Sequence, residues 1–139
     1  MSTHSVNTPR HSPYVLAVKR SRTGLGLYTK NRIPRGKFIV EYCGTMIPFA
    51  EGQERGGRYL FELNNRWAID GSSRKNTARY MNHSCRPNCE TNSSGERIYF
   101  YARRHIAPDE ELTFDYGKEY FDDYIKPHGC RCVKCAAVR

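Results

Sequence analysis

The chain reads as a mainly β domain: short β-branched and aromatic runs alternate with glycine-, proline- and asparagine-bearing turns, and no stretch sustains helical periodicity. Its 139 residues suffice for one modest core, burying roughly two-thirds of the unfolded surface. Residues 1–13 are small and polar with two prolines, the composition of a flexible tail, and lack the apolar stretch of a secretory signal. Over 14–28 the run YVLAV predicts a strand, followed by a glycine-bearing loop at Gly24 and Gly26. Pro34 and Gly36 mark a turn. Residues 37–42, KFIVEY, predict a buried strand stopped by a loop at Gly44. The stretch 50–58 is Gly-rich and polar. Asn64-Asn65, which tolerates positive φ, joins 59–63 and 67–69 as a hairpin. Residues 76–81 suit one helical turn, and 98–102 and 111–114 are further strands, separated by a turn at Pro108-Asp109.

With 38% hydrophobic and 27% charged residues, the composition is that of a globular domain and excludes collagenous or wholly disordered classes. No apolar run approaches membrane-spanning length. A net charge of +9 favours acidic partners, including weak contact with nucleic acid, although the basic residues run from Arg10 to Arg139 without forming one block. An intracellular place follows, cytoplasmic or nuclear and chromatin-associated, with a secreted effector acting in a host cell as a further reading.

Six cysteines without a secretory signal point to metal or free thiols rather than disulfides. Cys130, Cys132 and Cys135 form C-x-C-x-x-C, and such thiolates suit tetrahedral zinc. Spacing leaves the fourth ligand open among Cys85, Cys89, Cys43 and His128; Cys85 is taken with the three, and Cys43 is read as a buried thiol. Zinc would tie the last residues to the body, since coordination free energy becomes folding free energy.

Two segments carry more than spacing: Arg79-Tyr80-Met81-Asn82-His83-Ser84-Cys85-Arg86-Pro87-Asn88-Cys89 and Glu111-Leu112-Thr113-Phe114-Asp115-Tyr116-Gly117. Together with Gly24-Leu25-Gly26, Tyr42-Cys43-Gly44 and the trailing cysteines, in that order, the chain from about residue 14 onward resembles the SET-domain protein lysine methyltransferases. It departs at Thr45, where many of that family carry glutamate, and in a last cysteine pair two residues closer than usual. The resemblance implies a β-clip-like SET fold over 14–121, with a threaded, pseudoknot-like C-terminal segment that sets the two motifs side by side. It also implies a post-SET zinc segment over 122–139.

By the same resemblance the methyl donor is S-adenosylmethionine, leaving as S-adenosylhomocysteine. Thr23, Gly24, Leu25, Tyr59, Arg79, Asn82, His83, Tyr116 and Tyr120 would line its pocket. Tyr42, Phe61, Phe114 and Tyr116 would form the lysine channel, with Tyr116 as catalytic tyrosine assisted by Tyr42 and Phe114. Phenylalanine at 114 lacks a hydroxyl that would hold water and restrict methyl addition, which implies di- or trimethylation. The expected substrate is a lysine in a basic extended segment, a histone tail first and a non-histone protein second. A basic zinc module binding chromatin or nucleic acid without turnover is the reading from another class, and Tyr116 argues against it. A homodimer completing the peptide groove is a further expectation.

Overall fold

The computed structural model describes residues 8–57, 59–117 and 130, so Tyr120, His128, Cys132 and Cys135 lie outside the described residues. Strands β1 (Leu16–Ser21) and β2 (Gly24–Thr29) form an antiparallel hairpin from Leu16 opposite Thr29 to Ser21 opposite Gly24. Strand β10 (Glu111–Phe114) lies against β2 and pairs in parallel with the two-residue β7 (Asn82–His83). A second sheet sets β9 (Arg97–Ala102) between β3 (Phe38–Tyr42) and β8 (Cys89–Ser94). A third sets β6 (Trp67–Asp70) between β4 (Thr45–Pro48) and β5 (Leu60–Glu62). The predicted mainly β class is the observed one.

The core follows the strand alternation. Ile98, Phe100 and Ala102 point inward from β9 while Arg97, Tyr99 and Tyr101 stay half-buried, the period-two pattern of a strand with one wet face. They meet Ile39 and Val40 of β3, Leu27 of β2 and Leu112 and Phe114 of β10, so one apolar cluster joins the first two sheets.

Several segments depart from the sequence reading. The glycine-bearing loop after YVLAV continues as β2, because Leu27 and Thr29 are buried against β10 and tertiary burial overrides the low strand propensity of glycine. The Gly-rich polar stretch contains helix α1 (Phe49–Arg55), in which Arg55 pairs with Glu51 one turn earlier at 2.6 Å and with Asp70 of β6 at 2.9 Å. Gly52 hid this helix from a propensity reading, and it is the helix's buried residue, facing Ala68. Beyond Gly44 the chain returns as β4 instead of remaining a loop. The expected single helical turn is a 3₁₀ turn at Thr77–Tyr80.

Buried Asn88 fastens β10: its amide Nδ2 donates to the Glu111 carbonyl at 2.8 Å and its Oδ1 accepts from Thr113 N–H at 2.9 Å. Asn88→Ala leaves those buried groups without partners and should cost about 3 kcal/mol in urea unfolding.

Candidate functional site

The Asn82–Cys85 segment and the segment after β10 come together at the end of the first sheet. In the parallel ladder Thr113 lies opposite Asn82 and Phe114 opposite His83, and Ser84 N–H donates to the Phe114 carbonyl at 3.0 Å. Tyr116 is then tied twice: its backbone N–H donates to His83 Nδ1 at 3.1 Å, and its hydroxyl donates to the Met81 carbonyl at 2.6 Å. The Met81 carbonyl was not singled out in the sequence, and no residue-type signal marks a backbone acceptor.

An apolar wall grows from the same place. The Phe114 ring lies 4.7 Å from Tyr116, 4.8 Å from Phe100 and 5.8 Å from Phe61, and Phe61 lies 5.0 Å from Tyr42. All four predicted channel residues are therefore in one continuous aromatic cluster, with Phe100 as an unanticipated fifth that the inward alternation of β9 would have revealed. Tyr42 donates its hydroxyl to the Tyr59 carbonyl at 2.8 Å. Burial, reinforced by Tyr116 and Asp70, holds that hydroxyl far above the usual phenol range, so it remains a protonated donor. Tyr42 also borders a cleft of about 560 Å³ walled by Glu41, Cys43, Asn76 and Arg97.

The polar flank is built by Asn82. Its amide Nδ2 donates to the Leu25 carbonyl at 2.9 Å and to Glu111 Oε2 at 2.8 Å, with Ser21 Oγ at 3.3 Å, which locks the β1–β2 turn onto the Asn82–Cys85 segment. Thr23, Gly24 and Leu25 are exposed on that turn; Gly24 takes φ of 116°, a conformation reserved for glycine, and a Cβ on Gly26 would strike the Glu111 carboxylate. The Arg79 guanidinium stacks 4.3 Å over the Tyr59 ring, and its Nε is buried without a hydrogen-bond partner among the described residues. An orphan donor and open backbone at Gly24 fit a ligand that brings its own acceptor, as S-adenosylmethionine would with its carboxylate.

His83, expected in the cofactor pocket, also faces sulfur. With Nδ1 accepting from Tyr116, the network assigns its proton to Nε2, which lies 3.3 Å from Cys85 Sγ. Burial lowers the imidazole pKa against the opposing pull of Asp115, in keeping with the neutral ring this requires. Cys85 Sγ lies 3.9 Å from Cys130 Sγ, and both sulfurs lie with His83 within 4.8 Å of one another. Two thiolates on one tetrahedral zinc stand about 3.8 Å apart at ordinary Zn–S lengths, so the pair fits that metal. Cys89, the other nearby candidate, is fully buried with its thiol pKa pushed up to about 12 chiefly by burial, which makes it a core thiol. Cys43 is half-buried rather than buried, with its backbone N–H donating to Asn76 Oδ1 at 3.1 Å.

A family model described as the SET domain matches residues 24–117, which span both motifs and Leu25, whose carbonyl Asn82 holds. This chain belongs to the SET-domain family. Histone-lysine N-methyltransferase ASHH1 of Arabidopsis thaliana is 36% identical over 132 residues, covering 86% of this chain and 27% of that protein. Histone-lysine N-methyltransferase 2D of Homo sapiens is 37% identical over 131 residues, covering 84% of this chain and 2% of its own length. Histone-lysine N-methyltransferase, H3 lysine-4 specific, of Chaetomium globosum is 37% identical over 115 residues, covering 71% of this chain and 11% of its length. The SET-domain chain thus spans only a small part of the curated relatives it matches. Among the described residues no helix is long and apolar enough to cross a membrane.

Gly71 sets the position of Tyr42 in this SET domain, because a Cβ there would strike both the Tyr42 ring and Asn76 Nδ2. Gly71→Ala should lower stability by ~2 kcal/mol in urea unfolding and displace Tyr42, read as a changed near-ultraviolet tyrosine signal.

Proposed function

We propose that this SET domain is a protein lysine N-methyltransferase that uses S-adenosylmethionine and acts on a lysine in a histone tail or a similar basic segment, to the di- or trimethyl state. The observation that carries the reading is Tyr116, held by Met81 and His83 at the end of a continuous aromatic wall. The relatives' names as histone-lysine methyltransferases support the substrate class.

S-adenosylmethionine would supply an electrophilic methyl on a sulfonium. Thr23, Gly24, Leu25, Tyr59, Arg79, Asn82, His83, Tyr116 and Tyr120 are the residues proposed to hold it, with Asn82 keeping the β1–β2 turn in place. A lysine side chain in water, which titrates at about 10.4, is an ammonium at neutral pH and has no lone pair for attack. The rings of Tyr42, Phe61, Phe114 and Tyr116 would strip water from it and favour the neutral amine, the ammonium proton passing to bulk water, so no carboxylate base would be needed. The Tyr116 hydroxyl spends its proton on Met81, so it offers its oxygen as an acceptor that orients the amine and stabilises the charge of the methyl in flight. Zinc on Cys85, Cys130, Cys132 and Cys135 would fasten the C-terminal segment beside His83, with Nε2–H of that ring donating to the Cys85 thiolate.

The test incubates the full chain with labelled S-adenosylmethionine, core histones and a cell lysate, and locates the methyl by mass spectrometry. Transfer to lysine should fall by about 100-fold or more in Tyr116→Phe, with S-adenosylhomocysteine binding retained. Phe114→Tyr should shift the product toward monomethyl-lysine. Methylated lysine in lysate proteins alone would make the substrate non-histone, and no transfer despite cofactor binding would favour the non-catalytic module. Purified protein should carry about one zinc per chain by elemental analysis, and Cys85→Ser should lose it to a weaker chelator than wild type does.

A further inference from the structure

Outside the site, two segments form an unusually cationic ribbon. Residues 29–37 and 102–110 run antiparallel and are laced at three levels. Asp109 N–H donates to the Thr29 carbonyl at 2.7 Å, Ile33 and Ile106 exchange both backbone bonds at 2.9 Å, and Gly36 N–H donates to the Ala102 carbonyl at 2.8 Å. The ribbon holds six Lys and Arg side chains, Lys30, Arg32, Arg35, Lys37, Arg103 and Arg104, against two carboxylates. Both carboxylates sit at one end, where Asp109 pairs with Lys30 at 3.5 Å and Glu110 with Arg104 at 2.9 Å. Toward the other end Arg32, Arg35, Lys37 and Arg103 are exposed, and the one carboxylate paired there among the described residues is Glu90, 3.8 Å from Arg103. Arg32 Nε donates to His105 Nδ1 at 3.3 Å, which fixes one edge of its fork.

We propose that this ribbon is a docking surface for the phosphate backbone of double-stranded nucleic acid. The apolar residues of the ribbon argue for that partner over others. Ile33 and Ile106 are wholly buried, so the exposed face has no apolar anchor of the kind that a membrane or a folded protein partner would need. None of its exposed residues is Phe, Tyr or Trp, so it lacks the stacking platform on which single strands are read. What it does offer is guanidinium forks on rigid, cross-laced backbone, matched to phosphate geometry and carrying no base readout. The surface would therefore hold the enzyme near nucleic acid without sequence preference, with a strength set by salt.

The test follows fluorescence anisotropy of a labelled duplex of roughly 20 bp as the full chain is added, across about 50 to 200 mM NaCl. Wild type is compared with the triple variant Arg32→Gln, Arg35→Gln, Arg103→Gln, and with the control triple Arg20→Gln, Arg66→Gln, Arg74→Gln, drawn from exposed arginines off the ribbon. The ribbon variant should bind about tenfold or more weakly at the lowest salt, and its slope of log affinity on log salt should be shallower by about 0.9 for each contact removed. The control triple should keep most of both. Equal losses in the two triples would place binding in the net charge alone and overturn the proposal. It would likewise be overturned by an unchanged ribbon variant, by tighter binding of a single strand, or by poly-glutamate competing at the same charge concentration as duplex.

Discussion

The site depends on a parallel pairing of only two residues. Asn82 and His83 lie beside Thr113 and Phe114, and the contacts that follow from it join residues 33 and 35 positions apart. Such non-local pairing closes a long loop before any contact offsets the entropy, so it persists only because other groups reinforce it. Asn88 clamps β10 from the side, Tyr116 reaches back to Met81, and Phe114 anchors the same strand in the apolar core. Tyr116 and Phe114 also belong to the candidate chemistry, so fold and site share those contacts.

The pairing separates two environments. On one side Phe114, Phe61 and Tyr42 make a continuous aromatic wall. On the other, Asn82, Arg79 and the β1–β2 turn present polar groups, one of them without a partner among the described residues. His83 stands between them, one nitrogen serving Tyr116 and the other facing Cys85. Loss of the thiol pair's organisation would therefore be felt at Tyr116 through a single ring, even though the tyrosine and the sulfurs do not share a strand.

Legibility of the sequence followed burial. The buried strands β3, β9 and β10 were visible because their β-branched and aromatic residues leave a clear pattern, and the Pro108-Asp109 turn was visible in its residue types, with Asp109 at φ of 69°. Strand β8, with its polar CETNSS, is an exposed edge that reads as loop, and the short α1 carries a mid-helix glycine, so local propensity spoke against both. The candidate site residues were named through motif likeness alone, since an aromatic in this composition is ordinarily core. Their contacts were not legible: the Met81 carbonyl, Phe100 and the turn of His83 toward Cys85 are products of tertiary placement. The cationic ribbon was hidden for the same reason, because its two halves lie about 70 residues apart and sum only when the Ile33–Ile106 bridge brings them together.

The most direct test of the central claim, that the two motifs form one ligand-holding unit, is amide hydrogen exchange of the full chain with and without S-adenosylhomocysteine. Ligand should slow exchange in residues 81–85 and 113–117 together, including the Ser84 and Tyr116 amides that bridge them, and at the β1–β2 turn that Asn82 holds. Protection confined to one of the two motifs, or found only around the cleft beside Glu41 and Arg97, would contradict the claim.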